Sequence, residues 1–168
     1  MTDPKVRIEM LKVQARLQEA ALSAMALSLV SSSRFIKKTL SKPGTGRIYK
    51  VAKPRKSGRN LRARGYHRAS LPGQPPAVNT NRLRGSWSVE SFGSRGDGFA
   101  TVQQDAKRTV LRLGSNVVYA RILEYGGKTG RGGRTTIKPR PYLRPTLPVI
   151  AKTVPKLFAE AIRRRFST

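Results

Sequence analysis

The stretch DPKVRIEMLKVQARLQEAALSAMALSLV, residues 3–30, decides the fold class. Asp3 is a capping residue type, and Pro4 stands at the first helical position, where its missing N–H has no helical partner to lose. Met10, Val13, Leu17, Ala20 and Ala24 recur at spacings of three and four, so they line one face of a helix. From Ala20 onward Leu22, Met25, Leu27 and Leu29 add further apolar faces, and a helix apolar on several sides is buried on several sides. Two occupants are open for those faces: another subunit, or a sheet and second helix of the same chain. Phe35, Ile36 and Leu40 extend the pattern past three serines, which gives an N-terminal helix over residues 1–40.

Working outward, residues 41–81 are rich in Pro, Gly and Arg, poor in apolar residues and without a period, and they read as an extended basic arm or loop. Trp87, Val89 and Ser91 alternate with Ser86, Ser88 and Glu90, a strand pattern beginning at Leu83. Ser94 to Gly98 reads as a turn, with Phe99–Gln104 and Thr109–Leu113 as two further strands. Asn116–Tyr125 reads as a short helix, capped by Ser115 or Asn116 and stopped by Gly126. Gly126–Gly133 is a glycine-rich basic loop and Thr135–Lys138 a short strand. Thr146–Phe166 is a second main helix with the stripe Leu147, Ile150, Val154, Leu157, Phe158 and Ala161, in which Pro155 predicts a kink or break. The expected class is α+β in one structural domain. It has a long N-terminal helix, a small antiparallel sheet of three to four strands, a short helix and a C-terminal helix, with residues 82–168 supplying sheet and last helix and a long basic Pro/Gly-rich arm between.

The charge is lopsided. The 168 residues carry 35 Lys or Arg against 8 Asp or Glu, a formal net charge of +27. No acidic residue lies between Glu19 and Glu90, whereas fifteen basic ones lie from Arg34 to Arg84. Such side chains repel one another unless a polyanion is near. Arg outnumbers Lys by 22 to 13, and the guanidinium fork suits phosphate and carboxylate geometry. Arg47, Lys50, Lys53, Arg55, Lys56, Arg59, Arg62 and Arg64 form the expected electrostatic set, facing either DNA or acidic protein.

Several classes are disfavoured. There is no cysteine, which removes disulfides, thiolate nucleophiles and cysteine zinc sites, and His67 is the only histidine. Ala20–Ser33 is too short to span a bilayer, which takes about 20 apolar residues. Asp3, Glu9 and Glu19 precede it, unlike a secretory or transit leader. Gly127-Lys128-Thr129 lacks the glycine of a phosphate-binding loop, because Ile122 stands in its place. Arg95-Gly96-Asp97 reads as part of a turn rather than an adhesion signal. The carboxylates are scattered singly and no nucleophile motif accompanies His67, so neither catalysis nor a cofactor or metal is expected.

Three blocks carry a family resemblance. Residues 67–86, HRASLPGQPPAVNTNRLRGS, resemble a segment of the tail-completion, or head–tail joining, proteins of tailed bacteriophages. Residues 119–126, YARILEYG, resemble that family's "YAxxlExG" helix, and residues 139–145, PRPYLRP, its lead-in to the last helix. Order and spacing fit along nearly the whole chain. One departure is Asn81, where the family commonly has Gly; Asn tolerates positive φ better than most residues, so a left-handed turn is compatible. The resemblance implies a structural virion protein of the neck or upper tail, assembled in the host cytoplasm, which forms a homo-oligomeric ring around the DNA channel and contacts adjacent neck proteins on its portal and tail sides. It implies non-specific contact with genomic DNA and no membrane. Leu22, Met25, Leu29, Pro75, Pro76, Tyr142 and Leu143 are the expected subunit-interface residues. The alternative from composition is a stand-alone, non-specific nucleic-acid-binding protein of ribosomal-like basic type.

Overall fold

In the computed structural model, which describes residues 3–51, 65–91, 96–104 and 108–167, helix α1 runs from Pro4 to Leu40, 37 residues. At 1.5 Å per residue it is about 55 Å long. The Asp3 carboxylate accepts the Lys5 N–H at 2.9 Å and closes its first turn. The serines do not end the helix, which runs on through them to Leu40. Ser28 donates to the Ala24 carbonyl at 2.7 Å, and Ser33 donates to the carbonyl of Trp87. Ser28, Ser32 and Ser33 are all buried.

Helix α4, Leu147–Phe166, returns along α1. The direction is antiparallel: Ile150 packs against the core cluster that holds Ile36 and Leu40 from the end of α1, while Arg165 forms an ion pair with Glu19. Buried Ala20 and Ala24 keep the α1 backbone close to α4, where Ala161 is the matching small residue. Helix α4 therefore stops level with Glu19, and every residue from Asp3 to Glu19 is exposed. Pro155 lies inside α4 without ending it. It and Ala151, whose carbonyl loses a donor, are both on the exposed side, where water can serve that carbonyl.

The remaining elements gather at the C-terminal end of α1. Strands β1 (Ile48–Val51) and β2 (Gly65–Arg68) pair antiparallel, Ile48 opposite Arg68. A short helix α2 covers Arg82–Gly85 and a 3₁₀ turn Val89–Ser91. Strands β3 (Gly98–Gln104) and β4 (Thr109–Ser115) form the longest hairpin, Gly98 opposite Ser115. Helix α3 is Ala120–Tyr125, followed by β5 (Gly127–Thr129) paired with β6 (Thr135–Ile137). The core of this end is Ile36, Leu40, Leu83, Trp87, Val117, Ala120 and Tyr142. Trp87 and Tyr142 meet edge to face at 6.1 Å between centroids.

The class is α+β, with four details that differ from the sequence reading. The described strands make three separate two-stranded sheets rather than one sheet of three to four strands. The segment from Leu83 is not a strand: α2 ends at Gly85, a turn carries Ser86 and Trp87, and a 3₁₀ turn spans Val89–Ser91, while adjacent Ser86 and Trp87 are both buried, unlike a strand with one solvent face. Residues 41–81 are not uniformly irregular, because β1 and β2 pair across them. The bridge continues through Gly46, whose N–H donates to the Ala69 carbonyl at 2.8 Å. The Gly126–Gly133 loop contains β5, and α3 begins at Ala120 rather than Asn116; the Ser115 hydroxyl accepts from the Val117 N–H in the turn before it.

Asn81 has φ 63° and ψ 0° and stands just before α2. It is a left-handed residue, a conformation that Asn tolerates better than most residues. Asn81→Gly should leave the denaturation midpoint nearly unchanged. Asn81→Val should lower stability by about 1–2 kcal/mol, since a β-branched side chain is strained in this conformation. Equal stability of the two variants in urea unfolding would contradict the assignment.

Candidate functional site

The YARILEYG and PRPYLRP blocks are one physical unit. Glu124, on α3, is buried at 1% exposure. Its Oε2 accepts the N–H groups of Tyr142 at 2.8 Å and Leu143 at 3.0 Å, and its Oε1 accepts that of Arg144 at 3.0 Å. The Arg140 N–H donates to the Leu123 carbonyl at 2.7 Å, which lashes the same two segments one step earlier. Gly126, at φ 73°, follows α3; a Cβ there would stand 2.9 Å from the Ile137 carbonyl oxygen and from the Pro139 ring. Burial first, and the neighbouring Glu124 carboxylate second, push the Tyr142 phenol above the ordinary tyrosine range. Its ring is therefore a core group with a neutral hydroxyl.

Beside this clasp lies a cavity of about 310 Å³ between the end of α1, the 67–84 segment and α3. Leu40, Leu83 and Leu123 contribute apolar walls, and His67, Arg84 and Arg140 contribute polar groups. The Nε atoms of Arg84 and Arg140 are buried without a hydrogen-bond partner. Arg82 also borders the cavity but is engaged elsewhere: its Nε and one terminal nitrogen bind Asp97 at 2.7 and 2.6 Å. This fork ties α2 to the start of β3. It also occupies the aspartate of Arg95-Gly96-Asp97 within the chain.

The sequence-predicted electrostatic set is only partly placed. Arg47 and Lys50 lie exposed on or beside β1, Arg47 stacking over the Tyr49 ring at 5.6 Å. Lys53, Arg55, Lys56, Arg59, Arg62 and Arg64 fall outside the described residues. The predicted interface set divides. Leu22 is exposed, and Leu29, Pro75 and Leu143 are half-buried. Met25, Pro76 and Tyr142 are buried within the chain itself, so they are not free to meet a neighbour. Tyr142 in particular fills the core against Trp87. The surface available instead is the stripe Val6, Met10, Val13 and Leu17 on the projecting part of α1, each between 44% and 64% exposed. The 3/4 spacing of Met10, Val13 and Leu17 was visible in the sequence, but not that Val6 extends it nor the point at which α4 stops covering it.

Among the described residues no helix is long and apolar enough to cross a membrane, and no group of three or more His, Cys, Asp or Glu is placed to hold a metal ion. Comparison with protein-family models, curated proteins and solved structures found no significant match.

Glu124→Gln should destabilise the fold by about 1–3 kcal/mol, because an amide NH₂ would face a backbone donor in a buried site; chemical denaturation measures this, and an unchanged midpoint would rule the clasp out. The Arg82 fork holds the Asp97 carboxyl below the ordinary aspartate range. A lowered folded-state pKa contributes stability above the unfolded pKa and loses it as pH falls through the folded one. The stability gap between wild type and Arg82→Gln should thus be present at neutral pH and close on acidification below the carboxylate range. A gap independent of pH in parallel melts at several pH values would contradict it.

Proposed function

We propose that this protein is a structural virion component of a tailed-phage neck or upper tail, in which copies close into a ring at the head–tail junction around the DNA channel. The observation that carries the reading is the projecting part of α1. Its apolar stripe of Val6, Met10, Val13 and Leu17 continues the seam that α4 covers at Ala20 and Ala24, yet no described residue covers it. An uncovered seam continuous with a packed one suits a neighbouring subunit, and a heterologous contact of that kind closes into a ring when its rotation closes. The net charge of +27 supports the same reading, since it calls for a polyanion: genomic DNA sliding through the channel, bound without sequence preference, or acidic surfaces of adjacent neck proteins. The motif blocks that resemble the tail-completion family add support, and the Glu124 clasp gives two of them a shared structural reason.

A stand-alone basic protein for nucleic acid is the second reading, favoured by exposed Arg47 and Lys50. It leaves the stripe on α1 without a role.

The direct test is to tag the protein where its gene is expressed during particle production, purify the particles and locate the tag by electron microscopy. Label at the head–tail junction supports the neck reading; particles without label overturn it. Val13→Glu combined with Leu17→Glu should alter the stability of the isolated chain by no more than about 0.5 kcal/mol, because both positions are exposed. The same variant should be lost from purified particles, and normal incorporation would remove the stripe from the assembly.

A further inference from the structure

The cavity beside α3 contains a charge imbalance that the fold does not resolve. Arg82, Arg84 and Arg140 border it together with His67, and no described carboxylate does. Asp97 neutralises Arg82, and the carboxylate of Glu124 is committed to three backbone amides. Arg84 and Arg140 are left with buried Nε donors that meet nothing. Those Nε atoms have no accessible surface, so what the cavity offers a ligand is the rest of two half-buried guanidinium groups, and positive charge that no described carboxylate at the cavity offsets points to a partner with negative charge.

We propose that this cavity is a binding site for a carboxylate-bearing peptide segment, with Arg84 and Arg140 as the oxyanion receptors. Guanidinium–carboxylate bonds are charge-assisted and among the stronger hydrogen bonds available to a protein. The walls of Leu40, Leu83 and Leu123 suit an apolar side chain next to the acidic one. The volume of about 310 Å³ lies at the small end of ligand-pocket sizes, enough for one or two side chains of an extended segment. A nucleic-acid duplex is disfavoured here, because it presents its phosphates on a convex surface too broad to enter. Exposed Arg47 and Lys50 are the positions that such a surface reaches. The site accepts the same chemistry whether the segment belongs to a neighbour in a phage neck or to another acidic polypeptide, so loss of the neck reading would leave it standing.

Any acidic peptide is attracted to a chain of this charge, so the test rests on a charge-matched comparison. The probe is a fluorescein-labelled peptide, Gly-Ser-Leu-Glu-Leu-Glu-Leu-Ser-Gly, and its counterpart with Gln in place of Glu, titrated with the full-length protein at physiological ionic strength. Arg84→Gln with Arg140→Gln should weaken binding of the Glu peptide by about tenfold or more. Lys152→Gln with Lys156→Gln, the same charge removed from the exposed face of α4, should weaken it less than about twofold. The Gln peptide should bind wild type weakly and be insensitive to both changes. Equal losses from the two double variants would overturn the site, as would a short DNA duplex that loses as much affinity as the peptide does on the cavity substitutions. Amide chemical shifts of the unmodified protein provide a readout that does not depend on the variants folding. Peptide-induced shifts concentrated at Leu83, Arg84, Leu123 and Arg140 support the site, and shifts spread evenly over the basic surface reject it.

Discussion

Three backbone N–H groups, of Tyr142, Leu143 and Arg144, converge on the carboxylate of Glu124, and the position of both main helices follows from that meeting. The amides belong to the turn that leads into α4. Their acceptor belongs to α3, which joins through Ala120 and Leu123 the core cluster that also holds Ile36 and Leu40 of α1. Holding the turn at α3 sets where α4 begins and aims it back along α1, so that Ile150 reaches the core and Arg165 arrives at Glu19. A buried carboxylate is a costly thing to place in a small core, and it is tolerable here because its oxygens are met by donors that would otherwise be orphaned in the same turn. Polar satisfaction and chain direction are thus one device.

The consequence for function is a length mismatch. Helix α1 has 37 residues and α4 has 20, and their packed ends coincide near the small core. The surplus appears at the other end, as a bare length of α1 with apolar residues at helical spacing. Intrachain packing on small residues, Ala20, Ala24 and Ser28, gives way to larger ones, Val13, Leu17 and Met10, just where cover ends. Small residues suit close approach of one chain's own helices, while larger apolar ones offer more area to an incoming surface. The cationic surplus follows the same logic, since each unpaired Arg or Lys is tolerable in water and useful beside an anion.

Much of the fold was legible. The length and start of α1, the two strands β3 and β4, the short helix near Tyr125 and the last helix all follow from periodicity and caps, which are local signals. For Asn81 the sequence established only that a left-handed conformation was compatible, because Asn tolerates positive φ; the fold decided that it is adopted. The segment around Trp87 was misread because Ser86, Ser88 and Glu90 mimic strand alternation over a short window. Ser86 is in fact buried at 1%, bonded to the Leu83 carbonyl and to Ser115. A buried serine looks polar in a sequence whether or not its hydroxyl has found a partner. Tyr142 and Met25 looked like candidates for a neighbour because an aromatic or a methionine reads alike in a core and in an interface.

By itself, then, the sequence determined the α+β class, the long first helix, the excess of cations and the absence of cysteine chemistry, because each is a matter of composition or of short-range spacing. The tertiary structure alone decided that Glu124 clasps the lead-in to α4, that the described strands form three separate hairpins, where described cover on α1 ends and which two arginines border a cavity with their Nε atoms unbonded. Those outcomes depend on which distant groups fill one another's hydrogen-bonding and packing needs, and spacing along a chain does not encode that pairing.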